Sequence, residues 1–155
     1  ESSIDVKRES SYFLSSLIIF SSTNVLPKFL ENPEIVDVLV EMLGCGVVLI
    51  IIRCLDCLKK LLLFCHTNIC RSDSNSSKIN SHSCSSDSLF SLESSDIDGN
   101  EASEMFSSFL SNLFDSELRD RIDDIIDDQK DKIMRESAMI VAKLLDEIQL
   151  SITYE

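Results

Sequence analysis

Cys54 and Cys57 form a CxxC pair, and Cys65, His66 and Cys70 follow it closely. Thiolates and imidazole at such spacings are the donors that hold a tetrahedral zinc ion. Here the later cysteines do not form a second CxxC, and the first pair lies among leucines in a stretch with helical periodicity. The reading is therefore of unbridged thiols near an apolar surface, with acylation left open and no metal site assigned. No secretory signal pattern opens the chain, so six cysteines point to a reducing setting rather than to a disulfide framework. His66 and His82 are the only histidines. Neither belongs to a GxSxG elbow or an HExxH helix. The pairs Asp123–Asp124 and Asp127–Asp128 lack the calcium-loop pattern and read as a solvated helix face. Three glycines cannot build a Gly-rich phosphate loop or a dinucleotide fingerprint. The expectation is a protein with no catalytic residues, no cofactor and no metal, hence not an enzyme.

Charge and hydropathy are segregated along the 155 residues. Lys and Arg number 14 against 27 Asp and Glu, for a net charge of -13. Residues 1–86 hold nine acids and eight bases, whereas residues 87–155 hold eighteen acids and six bases. Mean hydropathy is nevertheless slightly positive at +0.10. A chain this acidic lacks the basic face needed to neutralise phosphates, so direct nucleic-acid binding is not expected. A near-neutral, apolar front joined to an acidic back suggests two environments for one chain.

Hydrophobic periodicity and turn residues give an all-α fold in four segments. Residues 1–31 form an N-terminal amphipathic region whose first eleven residues read as a polar, frayed end. In Tyr12 to Phe20, Phe13, Leu17 and Phe20 share helical spacing, as do Leu14 and Ile18. That pattern fits a short core helix or a helix lying on a membrane or partner. Pro27 can open a short helical turn through Leu30.

Residues 32–65 read as one hydrophobic helix. Asn32 followed by Pro33 is a helix start, the side chain capping and the proline occupying the first turn. Met42 to Ile52 is eleven residues without a charge. Extended back to Ile35 the run is roughly 27 Å long as a helix, at the short end of spanning length. The residues expected to insert are Ile35, Val36, Val38, Leu39, Val40, Met42, Leu43, Val47, Val48, Leu49, Ile50, Ile51 and Ile52. Arg53, Lys59 and Lys60 would lie at the headgroups, the long Arg53 stem snorkelling. On a single helix Asp37, Glu41, Arg53, Asp56, Lys59 and Lys60 fall within an arc of about 160°. That geometry also suits an in-plane interfacial helix or a buried helix of a soluble bundle.

Residues 66–103 are Ser-rich and read as a disordered linker. Residues 104–155 read as an acidic amphipathic helical tail, one helix or two breaking near Asp127 to Gln129. Its apolar stripe is Phe109, Leu113, Leu118, Ile122, Ile125, Ile133, Ile140, Leu144 and Ile148, and is expected to bind a partner, to pack on the front segment or to self-associate.

The stretch NPEIVDVLVEMLGCGVVLIIIR, from Asn32 to Arg53, resembles the helix-then-anchor region of the picornavirus 3A-like membrane-anchoring non-structural proteins. The long acidic tail departs from the many members that have a short one. The resemblance implies a viral non-structural protein that anchors and scaffolds RNA replication complexes on remodelled host membranes and recruits host factors. It would sit on ER- or Golgi-derived vesicles with most of the chain facing the cytosol. Its partners would be viral replication proteins and host trafficking proteins, with a homodimer open. A Glu at position 155 and a first residue other than Met fit release from a polyprotein by a viral protease. Two other readings of the same residues are a soluble all-helical protein-interaction module and a viroporin-type membrane-permeabilising protein. The last needs a second inserted segment, and its only candidate, Tyr12 to Phe20, is too short to span.

Overall fold

The computed structural model describes residues 4–75, 99–128 and 131–153. The described residues form seven α-helices: α1 (Ile4–Phe20), α2 (Leu26–Leu30), α3 (Glu34–Leu43), α4 (Val48–Asn75), α5 (Gly99–Asp115), α6 (Leu118–Asp127) and α7 (Lys132–Thr153). The all-α expectation holds. Among the described residues no helix is long and apolar enough to cross a membrane.

The single hydrophobic helix expected over 32–65 is corrected to two. Asn32 does cap the first, its Oδ1 accepting the Glu34 N–H at 3.0 Å. Gly44 closes α3, and Gly46 takes φ of 72°, a left-handed conformation that L side chains rarely adopt. The chain restarts at Val47, whose carbonyl accepts from the N–H groups of Ile50 and Ile51. Hydropathy alone is blind to this break, because both glycines sit inside an uncharged run. The break also resets the helical phase, so the charged arc drawn through residues 37 to 60 does not exist as one face.

Helix α1 begins at Ile4, earlier than the frayed end expected over residues 1–11. Lys7 Nζ lies 2.7 Å from Glu41 Oε1 and ties the first turns of α1 to α3. The linker expected over 66–103 is helical at both described ends, α4 continuing to Asn75 and α5 beginning at Gly99; residues 76–98 lie outside the described residues. The tail is three helices. The break near Asp128 falls where the sequence allows it, and a second break, at Ser116–Glu117, is unexpected. There the Ser116 hydroxyl donates to the Leu113 carbonyl at 2.7 Å and accepts the Leu118 N–H at 3.3 Å, ending one helix and starting the next. Asp131 starts α7 by accepting the Met134 N–H at 3.0 Å.

The packing is like on like. Helix α2 packs on α5, α3 on α6 and α4 on α7. The bounds repeat as well: a ten-residue helix begins at 34 and again at 118, and a long helix follows at 48 and again at 132. Buried positions follow this repeat in the long helices, and in the ten-residue helices they follow it with a slip of one residue. Ile35, Leu39 and Met42 in α3 correspond to Leu118, Ile122 and Ile125 in α6. Ile50, Cys54, Cys57, Leu58 and Leu61 in α4 correspond to Met134, Ala138, Val141, Ala142 and Leu145 in α7. Two three-helix units, α2–α4 and α5–α7, are therefore stacked on each other, the arrangement that builds helical-repeat solenoids. Helix α1 lies on α4 as α4 lies on α7, which extends the layer of long helices to three.

Candidate functional site

The cysteines sit at core positions. Cys54, Cys57 and Cys65 are fully buried, and the first two occupy places filled by Ala138 and Val141 in the second unit. A free cysteine behaves there as a small apolar side chain. The two thiols of the CxxC diverge, Cys54 Sγ pointing to the Leu39 carbonyl at 3.3 Å and Cys57 Sγ to the Ser15 carbonyl at 3.7 Å. Burial raises the pKa of all three, to about 12 for Cys57 and for Cys65. They are protonated thiols at neutral pH, neither nucleophiles nor ready metal ligands. Among the described residues no three His, Cys, Asp or Glu side chains are grouped to hold a metal ion. His66 is half-buried on α4, and His82 lies outside the described residues.

The residues expected to insert into a bilayer divide by direction. Ile35, Val36, Leu39, Met42, Leu43, Ile50 and Ile51 are buried in the protein's own core, and Val40 and Ile52 are half-buried. Val38, Val47, Val48 and Leu49 are exposed around the α3–α4 turn. Of the basic residues expected at headgroups, Lys59 alone projects into solvent as expected of a surface charge. Arg53 lies over the Tyr12 ring, its guanidinium carbon 5.5 Å from the centroid, a cation–π contact between α4 and α1. Lys60 donates to the carbonyls of Ile19 at 2.7 Å and Ser21 at 2.6 Å. Those carbonyls close the C-terminal end of α1, where a helix leaves acceptors unpaired and favours a cation. No periodicity argument could have found this bond, because its partners lie about forty residues away.

The apolar stripe of the tail is largely spent inside the molecule. Phe109, Leu113, Leu118, Ile122, Ile125 and Ile148 are buried, and Leu144 is half-buried. Ile133 and Ile140 are corrected: they are 65% and 45% exposed. The buried face of α7 is turned from that stripe and runs through Met134, Ala138, Val141, Ala142 and Leu145. Two alanines on the core face made it the less conspicuous of the two. Arg119 of α6 fastens this layer, donating to Asp146 Oδ1 at 2.6 Å and to the Ala142 carbonyl at 3.5 Å.

Two surface features remain as candidate binding regions. One is an open groove of about 910 Å³ between α1, α3 and the start of α4, lined by Val6, Leu14, Val38, Met42, Val47 and Ile50. The Lys7–Glu41 ion pair flanks it, and the exposed Cys45 lies on its wall. The other is the outer face of α1, which carries Val6, Phe13, Leu17 and Phe20. Leu14 and Ile18 point the opposite way, towards the core, so both stripes read from the sequence are present on one helix. No protein-family model, no curated protein and no solved structure matches this chain.

Proposed function

We propose that the chain is a non-enzymatic protein-interaction scaffold built from stacked helical units. The supporting observation is the like-on-like packing of α2 on α5, α3 on α6 and α4 on α7. Such stacking spends apolar sequence on unit-to-unit contacts and leaves extended lateral surfaces, which helical-repeat proteins use to bind other proteins. This corresponds to the interaction-module reading of the sequence.

The membrane-anchor reading asks Ile35 to Ile52 to face lipid. Lipid would solvate those side chains as well as the core does. Their packing partners would not be so served: Leu58, Leu61, Leu118 and Ile122, fully buried here, would be left facing water. Alkaline carbonate extraction of the expressed chain separates the two readings. Release into the supernatant, with a detergent-free and cooperatively unfolding product, is expected of the scaffold. Retention in the membrane pellet would refute it and favour the anchor.

A further inference from the structure

The three-helix layer α1–α4–α7 has two outer helices, α1 and α7. Helix α4 is covered on both sides, by α1 and by α7. Ile51, Leu55, Leu62 and Cys65 are buried in α4, and the corresponding residues of α7 are Arg135, Met139, Asp146 and Gln149. Three of those four are polar, although α7 also exposes Ile133, Met139, Ile140, Leu150 and Ile152.

Helix α1 presents a single apolar stripe with two phenylalanines in it. Val6, Phe13, Leu17 and Phe20 are 55%, 68%, 45% and 81% exposed. At 100° per residue they share one face, directly opposite the buried Ser15 and Ile18. A helix apolar on both faces is a helix covered on both faces. With aromatic side chains presenting roughly 150–250 Å² each, this patch offers about 450 Å² of apolar surface.

We infer that the outer face of α1 is the interface of a homodimer, covered by α1 of a second copy in antiparallel orientation. Val6, Phe13 and Phe20 are spaced by seven residues with Phe13 at the centre. A two-fold axis at Phe13 sets Phe13 against its own counterpart and Val6 against Phe20 of the second copy, the self-complementary pattern of an isologous contact. The head-to-tail alternative, in which α1 of one copy would stack on α7 of the next, would use the exposed Ile133 and Ile140 of α7. Charge agrees: Asp5, Lys7, Arg8 and Glu9 cancel on α1, while the excess acid of the sequence lies in residues 87–155. Two such patches bury about 900 Å² before the polar rim is added, near the lower bound for a specific interface, so the dimer is weak and concentration-dependent.

The inference rests on the scaffold reading, in which α1 is folded onto α4. Sedimentation velocity on the full chain, without detergent and from about 1 to about 300 μM, tests it across the range expected of a small interface. The mass should rise from 17.4 kDa towards twice that value. Phe13→Ser combined with Phe20→Ser, and separately Leu17→Lys, should abolish the rise with the circular dichroism spectrum unchanged. Ile133→Ser with Ile140→Ser should leave it intact. A monomer at every concentration would overturn the proposal, and with α1 amides protected from exchange would assign the face to another part of the same chain. A dimer indifferent to both α1 variants would overturn it, as would a monomer that floats with phosphatidylcholine vesicles through α1. A chain that needs detergent to stay in solution would overturn the scaffold reading as well.

Discussion

Replacing Lys60 by Met tests whether α4 belongs to a folded bundle or to a membrane surface. The substitution keeps an apolar stem of similar length and removes only the ammonium. In the structure that ammonium makes two short bonds, to Ile19 O and Ser21 O, at the C-terminal end of α1. A hydrogen bond to a charged group contributes about 1.5–3 kcal/mol net, and a half-exposed lysine with competing water lies at the low end of that range. The two carbonyls regain water in part once the ammonium has gone, so the expected loss is about 2 kcal/mol for the pair. For a chain of this size that corresponds to a fall in Tm of about 4–8 °C. Urea denaturation should show the midpoint falling at unchanged slope, and hydrogen exchange should accelerate first at the end of α1 and through the turn before α2. A loss below about 0.5 kcal/mol, or faster exchange spread evenly over all helices, would refute the clamp. The membrane reading predicts something else: with Lys60 at the headgroups, removing its charge would strengthen membrane retention and leave α1 untouched.

Gly46→Ala should destabilise by about 1–2 kcal/mol in urea unfolding, because a Cβ there meets nothing within 4 Å and the whole penalty is the left-handed φ; a neutral result would mean the α3–α4 turn is not as described. Leu39→Ala should cost about 2–5 kcal/mol, whereas Ile140→Ser should stay within about 0.5 kcal/mol, and reversal of that order would restore the original α7 stripe. The thiols give a pH test. The pKa values of Cys57 and Cys65 are raised from 9.0 to about 12 in the fold, so above pH 9 the unfolded chain loses protons that the folded chain keeps. Stability should therefore be full below pH 9 and fall as pH rises towards 12. Each thiol steepens the slope by about 1.4 kcal/mol per pH unit. Serine at both positions should flatten that decline. A thiol reagent at pH 8 should modify Cys45 rapidly and reach Cys54, Cys57 and Cys65 only on unfolding; prompt modification of Cys54 would refute their burial.

Much of the fold was legible because helix signals are local. The Asn32–Pro33 start, the turn at Pro27 and the two stripes of α1 follow from residue type and spacing, and the structure shows each of them. What the sequence concealed depends on direction or on distance. Hydropathy sums residues without asking which way they face, so Ile35 to Ile52 reads as a single rod although two glycines turn it. The α7 stripe read from the sequence is off by about a fifth of a turn or more, because Ala138 and Ala142 carry the core face with little hydrophobic weight. The bonds of Lys60, Arg53 and Arg119 join helices far apart in sequence and leave no periodic trace. The repeat of the two units was hidden for a related reason: corresponding core positions pair Cys54 with Ala138 and Leu58 with Ala142, keeping burial and not identity.

The charge segregation acquires a structural cause from that repeat. Helix α4 has neighbours on both flanks and needs apolar residues on both, which it supplies with Ile51, Leu55, Leu62 and Cys65 beyond the core set shared with α7. Helix α7 ends the layer, and at the matching places it carries Arg135, Met139, Asp146 and Gln149. The apolar excess of the front half and the acidic excess of the back half are thus partly one fact, the difference between an inner and an outer position in a stack. On this argument a hydropathy profile peaking over Ile35 to Cys65 marks the most enclosed helix of the layer. Converting α7 to the α4 pattern, with Arg135→Ile, Asp146→Leu and Gln149→Cys, should then create a second adhesive face. The variant should keep its helicity and form open-ended oligomers through α7, and a variant that stayed at the size of the parent would sever the link between charge and position.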